Sequence, residues 1–204
     1  MTASATSTAR LLIVGPQGSG KGTQGVRIAE AYGIPVVSTG DIFRANIKEG
    51  TPLGKQVTAI LDAGDLVSDE LTGALVRDRL TQADAVNGFL LDGYPRNAAQ
   101  VAHLDAFLGE QGAALDAVIL LDVPRDESIA RLTLRATEQG RTDDTPDAIA
   151  HRLDIYEAQT APILDAYGAR GIVDRIDGVG SLDEISERIF AALTLRGLVP
   201  TAVV

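Results

Sequence analysis

The chain has 204 residues, of which 45% are hydrophobic and 23% are charged, and this length suits one domain of roughly 200 residues with its own core. That hydrophobic share excludes a disordered chain, no apolar run approaches the roughly 20 residues of a membrane span, and the lack of cysteine excludes disulfides, a thiol nucleophile and a cysteine-ligated zinc site. A formal net charge of −10 disfavours nonspecific binding to nucleic acid or to an anionic membrane. We therefore expect a cytoplasmic protein with no nucleic-acid or membrane partner.

Short apolar runs alternate with longer amphipathic segments. Residues 1–9 are small and polar and predict a disordered tail, ahead of a single domain over residues 10–197. Near-continuous apolar runs are typical of parallel strands buried on both faces; the predicted strands are Arg10–Val14, Pro35–Val37, Gly88–Leu91, Ala117–Asp122 and Gly171–Ile176. The predicted helices are Gly20–Tyr32, Asp41–Gly50, Leu53–Ala63, Asp69–Thr81, Ala98–Gln111, Arg125–Arg135, Pro146–Tyr167 and Leu182–Arg196. This alternation indicates an α/β fold with a doubly wound, five-stranded parallel sheet.

Local signals refine three of these segments. Thr145 supplies a capping hydroxyl before Pro146 and so predicts a helix start. Pro162 predicts a kink or a break in the same helix, because proline lacks an N–H and its ring crowds the preceding turn. Residues 38–67 are helical without contributing a strand, which predicts an insertion over the sheet edge.

The strongest chemical signal is the segment Gly15–Thr23, GPQGSGKGT, which follows the first predicted strand and opens a helix. Glycines let backbone N–H groups turn inward around phosphate oxygens, and the helix N-terminus and Lys21 add positive charge. The segment therefore predicts a phosphate-binding loop, called the phosphate loop below. Gly22 stands where many such loops place a hydroxyl that binds Mg²⁺, so the sequence does not predict direct ligation by a side chain there.

Polar residues also follow the second and third predicted strands. Asp92–Arg96, DGYPR, places a carboxylate that can hold Mg²⁺ directly or through its waters, and Gln100 lies about one turn beyond the plausible helix cap Asn97. Ser38–Arg44 presents a hydroxyl, a glycine and an arginine. An ordinary salt bridge in the first case, and a capped helix with a surface arginine in the second, are the alternatives.

Four arginines lie further along the chain, and two of them, Arg131 and Arg135, share one helix face. Arg141 lies in a polar loop and Arg152 on the following helix. By themselves they are expected to be solvated charges paired with nearby acids, namely Asp143, Asp144 and Glu138. The two histidines, His103 and His151, are expected to be ordinary surface residues.

Taken together, these motifs resemble those of the adenylate kinase family. GPQGSGKGT, STGDIFR, LDAGDLVSDELT, LDGYPRNAAQ, RTDD and IDGVGSLDEI follow one another in the family's order, and the resemblance runs from about Leu11 to Leu193. It implies the fold of P-loop nucleoside triphosphate hydrolases, a helical AMP-binding segment over residues 38–67, and reversible phosphoryl transfer from ATP to AMP giving two ADP. The nucleotide would bring Mg²⁺. Only five residues separate Arg135 from Arg141, so the resemblance is to members with a short lid, here residues 134–144, without lid zinc.

The resemblance also implies roles for individual residues. ATP would be held by Gly18, Ser19, Gly20, Lys21, Gly22, Thr23, Arg131, Arg135 and Gly180. AMP would be held by Thr39, Arg44, Asp65, Leu66, Val67, Gly93, Tyr94, Pro95, Arg96, Gln100, Arg141 and Arg152. The catalytic set would be Lys21, Asp92, Arg96, Arg131, Arg135, Arg141 and Arg152, with Asp92 binding a water on Mg²⁺.

Two other functions stay open. One is a related kinase that acts on UMP or CMP. Thr39 and Gln100 argue against it, because the resemblance implies an alanine at the position of Thr39 in the pyrimidine kinases. The other is a nucleotide-binding regulator without transferase activity, against which the retention of Lys21, Arg96 and the later arginines argues. A monomer is expected, because the acidic chain has no obvious apolar seam.

Overall fold

The computed structural model describes residues 9–139 and 144–201 of the chain. Five parallel strands form one sheet in the order β2-β3-β1-β4-β5. Their bounds are β1 Arg10–Val14, β2 Val36–Ser38, β3 Phe89–Asp92, β4 Ala117–Asp122 and β5 Val173–Asp177. The prediction of a five-stranded parallel sheet is confirmed, with strand ends displaced by one or two residues.

Helices connect the strands and cover both faces of the sheet. They are α1 Lys21–Tyr32, α2 Thr39–Glu49, α3 Pro52–Ala63, α4 Asp69–Leu80, α5 Ala98–Glu110, α6 Arg125–Gln139, α7 Pro146–Ile155, α8 Ile163–Gly168 and α9 Leu182–Leu195, with a π-helical segment at Tyr156–Thr160. None of the helices in the described part of the chain is long and apolar enough to cross a membrane.

The central strand shows how the core is divided between the two faces. Leu12 and Val14 pack in one buried cluster with side chains of α4, α5 and α8, whereas Leu11 and Ile13 pack in another with α1 and α9. Successive side chains of a strand point to opposite faces, so an unbroken apolar run is buried on both. The sheet is thereby packed between helices on both faces, and the loops at its carboxyl edge start from buried strands.

Helices α2 and α3 form a small unit with a core of its own around Phe43, Val57 and Val67. The two helices pack closely enough that a Cβ atom at Gly54 would lie 2.1 Å from the carbonyl oxygen of Asn46. This pair occupies the insertion that the sequence predicts over residues 38–67, and it stands beside the carboxyl end of β2.

The long helix predicted over Pro146–Tyr167 is divided, as Pro162 suggested. Thr145 caps α7 by accepting a hydrogen bond from the N–H of Ala148, which confirms the predicted start. The helix loosens into the π-helical segment before Pro162, and α8 begins directly after this residue. Proline cannot donate to the preceding turn, and the wider π-helical turn accommodates its ring.

Three boundaries differ from the sequence expectation. Helix α6 continues to Gln139, so the segment expected as a lid loop begins inside a helix. Ala9, expected in the tail, is fully buried and accepts a hydrogen bond from the N–H of Phe89. At the other end, the N–H of Thr201 donates to the carbonyl of Ala31, beyond the predicted domain limit at residue 197.

Candidate active site

A cavity of about 780 Å³ opens at the carboxyl edge of the sheet, between the phosphate loop, the α2–α3 pair and helices α6 and α7. It brings together most of the predicted site residues, namely Gly18, Gly20, Lys21, Gly22, Thr23, Thr39, Arg44, Asp65, Leu66, Val67, Asp92, Gly93, Arg96, Gln100, Arg131, Arg135 and Arg152. Ser19, Tyr94, Pro95 and Gly180 do not line it. Arg141, for which a role between the two nucleotides was predicted, lies outside the described residues.

The phosphate loop requires glycine for steric reasons. Gly18 has a positive φ of 82°, and a Cβ atom there would lie 2.6 Å from the carbonyl oxygen of Ser128 on α6. Gly20, at the N-cap of α1, brings no side chain to the helix start. The first N–H groups of α1 are therefore left for an anionic ligand, which the helix dipole also favours.

Lys21 provides the cation of this loop. Its Nζ donates hydrogen bonds to the carbonyl oxygens of Gly15 and Pro16, at 2.7 and 2.8 Å. Burial lowers the pKa of Lys21 to about 8, and the positive charges of Arg96 and Arg135 act in the same direction, while Asp92 opposes them. A phosphate group would restore the charge balance at this position.

The opposite wall of the cavity is built on the turn after β3. Gly93 accepts hydrogen bonds on its carbonyl oxygen from Thr39 Oγ1 at 3.0 Å and from Arg96 Nε at 2.7 Å. Its φ is 81°, and a Cβ atom would lie 2.8 Å from Thr39 Oγ1. Burial lowers the pKa of Arg96, and the nearby charges of Arg152 and Arg44 lower it further, against the effect of Asp92. Cations thus converge on this wall.

Asp144 joins two of the cavity's arginines. Its carboxylate is fully buried; Oδ2 accepts from Arg135 Nε and Nη2 at 2.9 and 2.6 Å, and Oδ1 accepts from Arg152 Nη1 at 2.9 Å. Arg152 also donates through Nη2 to the carbonyl of Leu61 at the end of α3, at 2.8 Å. From the sequence, Asp144 was expected only as a surface partner of these arginines. Its signal was its place between two arginine-bearing helices, directly before a helix cap.

Arg131 connects α6 with the loop after β5. It donates through Nε to Glu127 at 2.8 Å and through Nη2 to the carbonyl of Gly178 at 3.1 Å. Gly180 stands two residues further along the same loop, which lies near Arg131 although Gly180 itself does not line the cavity.

Two contacts near the α2–α3 pair were not expected from the sequence. His151 is exposed, as predicted, but its Nε2 lies 2.7 Å from Asp65 Oδ1. Gln100 is buried, and its Nε2 donates to Asp69 Oδ1 at 2.7 Å. Both contacts join residues that are far apart in the chain, so no local sequence pattern predicts them.

The donor set suits a magnesium ion that arrives with a nucleotide. Among the residues that the structure describes, no group of three or more histidine, cysteine or acidic side chains is placed to hold a metal by itself. Asp92 contributes one carboxylate beside the phosphate loop, and a Cβ atom at Gly22 would meet nothing within 4 Å. One carboxylate, phosphate oxygens and waters are the usual ligands of Mg²⁺ in such sites.

Comparison with known proteins agrees with this geometry. A family model described as adenylate kinase matches residues 13–172. Similar proteins named adenylate kinase include those of Kocuria rhizophila, 58% identical over 90% of this chain and 98% of the relative, and of Clavibacter michiganensis subsp. michiganensis, 58% identical over 95% and 96%. The protein of Bifidobacterium longum is 55% identical over 90% of this chain and 99% of its own length. The chain therefore belongs to the adenylate kinase family.

Proposed function

We propose that the chain transfers a phosphoryl group reversibly from ATP to AMP, giving two ADP, in the cavity at the carboxyl edge of the sheet. The observation that carries this proposal is the convergence of Lys21, Arg96, Arg135 and Arg152 on one cavity that also contains a phosphate loop. A single nucleotide would need only part of this charge. Two nucleotides with their phosphates facing each other would use all of it.

On the donor side, the phosphate loop from Gly18 to Thr23 would hold the ATP phosphates, with Ser19 contributing its backbone. Lys21 and Arg135 would neutralise the transferred group. Arg131 would lie against the adenine of ATP, and Gly180 would offer a backbone contact to the same base.

On the acceptor side, Arg44, Arg96 and Arg152 would hold the phosphate of AMP. Its base and ribose would rest on the α2–α3 pair and on the turn after β3, against Thr39, Asp65, Leu66, Val67, Gly93, Tyr94, Pro95 and Gln100. Arg141 would bridge the two phosphate chains.

The chemical step requires alignment and charge neutralisation rather than a base. A phosphate oxygen of AMP, already ionised, forms a bond to the γ-phosphorus of ATP while the bond from that phosphorus to the β-phosphate oxygen breaks. The charge spreads over the oxygens of the transferred group, and fixed cations stabilise it more in the transition state than in the ground state. Asp144 serves this step by holding Arg135 and Arg152 in one arrangement.

Mg²⁺ bound to the nucleotide would neutralise phosphate charge, and Asp92 would hold it through a water. No zinc is proposed. Residues 38–67 and 134–144 would close over the nucleotides and exclude water, which would otherwise accept the phosphoryl group; the adenylate kinase lid is a known case of such closure. We also propose a monomer that works in the cytoplasm, without a nucleic-acid or membrane partner.

The test starts from ADP alone with Mg²⁺. We expect ATP and AMP to form in equal amounts, and Arg96→Ala to abolish most of this activity while leaving the fold intact. A chain that binds nucleotides without converting ADP would be the regulator instead. A higher kcat/KM for UMP or CMP than for AMP, measured with ATP as donor, would identify a pyrimidine nucleotide kinase.

A further inference from the structure

Asp69 lies behind the cavity, in the first turn of α4, and it contacts two side-chain amides. Its Oδ1 accepts from Gln100 Nε2 at 2.7 Å and from Asn97 Nδ2 at 2.9 Å. Asn97 in turn caps α5, because its Oδ1 accepts from the backbone N–H of Gln100 at 2.9 Å. The carboxylate of Asp69 thus holds the cap of α5 through Asn97. It also holds Gln100, whose side chain belongs to the first turn of α5 and lines the cavity.

The partners of Gln100 fix the orientation of its amide. Gln100 is 2% exposed, and its Oε1 accepts from the backbone N–H of Arg96 at 2.8 Å while its Nε2 donates to Asp69. A carboxylate accepts and a backbone N–H donates, so neither partner can exchange its role. Rotation of the amide by 180° would place oxygen against oxygen and N–H against N–H.

The remaining hydrogen-bonding groups of Gln100 are suited to one kind of base. An amide has two N–H groups and two oxygen lone pairs, so one of each remains for a ligand. Adenine offers an amino N–H beside a ring nitrogen that accepts, whereas a 6-oxopurine offers a carbonyl oxygen in place of the amino group. In the fixed orientation, Oε1 would accept a hydrogen bond from the amino group of adenine. With a 6-oxopurine, Oε1 would face a carbonyl oxygen, which is also an acceptor.

We propose that Asp69 is a specificity-determining residue, which holds the amide of Gln100 in the orientation that accepts from the amino group of adenine. It acts through Gln100 and is therefore a positioning residue. The inference rests on the proposed function, since it requires the base of the acceptor nucleotide to lie against Gln100. An amide free to turn over would serve both purine types, so the selectivity comes from the two partners that fix it, the backbone N–H of Arg96 and the carboxylate of Asp69, and only the second can be changed by a side-chain substitution.

The test compares AMP with inosine monophosphate as acceptor, with ATP as donor. The two acceptors differ only in the groups at the 1 and 6 positions of the purine. Asp69→Asn keeps the size of the side chain but can present either a donor or an acceptor to Gln100, so that only the backbone N–H of Arg96 still opposes the turned amide. We expect the ratio of kcat/KM for AMP to that for inosine monophosphate to fall roughly tenfold, chiefly because inosine monophosphate is used better.

Glu70→Gln is the matched control. Glu70 is exposed and stands in the same first turn of α4, so its substitution removes the same charge from the helix start. We expect its selectivity ratio to equal that of the wild type. Asp69→Ala is a second variant, which removes the acceptor without presenting a new polar group, and it is expected to lower the ratio as well.

Two results would overturn the inference alone: an unchanged ratio in both Asp69 variants, or an equal loss of activity toward both acceptors, which a merely structural role would produce. A wild-type chain that does not phosphorylate AMP would instead overturn the proposed function, and the inference with it. Equilibrium binding of the two monophosphates, without ATP, gives the same comparison independently of turnover.

Discussion

Lys21 shows how the environment of one residue sets the behaviour of the site. Its ammonium group is held between two backbone carbonyls of the phosphate loop, and burial lowers its pKa to about 8. In the free protein the charge needed to attract a phosphate is therefore lost as the pH rises through that value. In the proposed complex with ATP, the negative phosphates would favour the protonated form.

We expect kcat/KM for ATP to fall above about pH 8, whereas kcat should persist to higher pH, because the first reports the free enzyme and the second the complex. The measurement is a pair of pH profiles between roughly pH 6 and pH 10. Lys21→Arg is the control, since a guanidinium stays charged and its profile should lack this decline, whatever its rate. A wild-type kcat/KM that stays constant through pH 8 to 10 would contradict the assignment.

The same shift has a consequence for stability, with a definite sign. The pKa of Lys21 is about 8 in the folded chain and has an ordinary value of 10.5. Between these values the unfolded chain binds more protons, so the contribution of Lys21 to the free energy of unfolding rises with pH in this window. At neutral pH the buried ammonium of Lys21 therefore lowers the free energy of unfolding, while its charge is what the proposed phosphate binding requires.

Individual residues also show where sequence reasoning stops. The phosphate loop and its lysine were predicted from spacing alone, because strand, turn and helix start are adjacent in the chain. Asp69 and Asp144 were not predicted as part of the site. Asp69 meets Gln100 across 31 positions of sequence, and the burial of Asp144 depends on how α6 and α7 pack. Neither fact is encoded in a local pattern.

Among the elements, the α2–α3 pair is the clearest case of packing that depends on one residue. Gly54 lets the helices approach until only a hydrogen atom fits, because a Cβ atom there would lie 2.1 Å from a backbone carbonyl. Gly54→Ala must push the helices apart. We expect the free energy of unfolding to fall by about 1–3 kcal/mol, the usual cost of overpacking, and KM for AMP to rise with little change in KM for ATP.

Gly109→Ala is the control for this prediction. Gly109 is also helical, in α5, but a Cβ atom there would meet nothing within 4 Å. This substitution should raise the free energy of unfolding by roughly 0.5–1 kcal/mol, since alanine favours a helix more than glycine does. Denaturant unfolding and steady-state kinetics measure both variants. The interpretation fails if they change KM for AMP alike.

The end of a helix was predicted correctly where a residue prevents the helix from continuing. Pro162 predicted the break between α7 and α8, because a prolyl ring excludes a regular turn. The end of α6 was placed too early, at Arg135, although the following residues favour a helix and it continues to Gln139. The role of the arginines of α6 and α7 was left open, because sequence spacing does not distinguish a solvated charge from one that lines a cavity.

At the scale of the whole molecule, an acidic chain places several of its cations together at one edge of the sheet. The net charge is −10, yet Lys21, Arg44, Arg96, Arg131, Arg135 and Arg152 all line the same cavity. Asp144 connects the proposed donor and acceptor sides of this group, since one oxygen accepts from Arg135 and the other from Arg152. Binding of one nucleotide should therefore change the affinity of the cavity for the other.

We expect Asp144→Asn to lower kcat on the order of a hundredfold, because small displacements of positioning groups have effects of this size. ATP and AMP should each lose their influence on the affinity for the other, and by the same factor, as linkage requires. Calorimetric titration with a nonhydrolysable ATP analogue and with AMP, each with and without the other, measures that factor.

Asp147→Asn, an exposed position in the first turn of α7, is the control and should leave both quantities unchanged. If Asp144→Asn impairs only one nucleotide and leaves the mutual influence intact, the carboxylate serves a single arginine.

The separate small core of the α2–α3 pair has a further consequence for how the enzyme responds to heat. A unit that buries only a few apolar side chains around Phe43, Val57 and Val67 opens at a lower free energy than the sheet, whose two large clusters must unfold together. Its amide hydrogens should then exchange with solvent faster than those of β1 and β4. We therefore expect this pair to open at a lower temperature than the sheet, and the exchange rates of its amides on heating measure the difference.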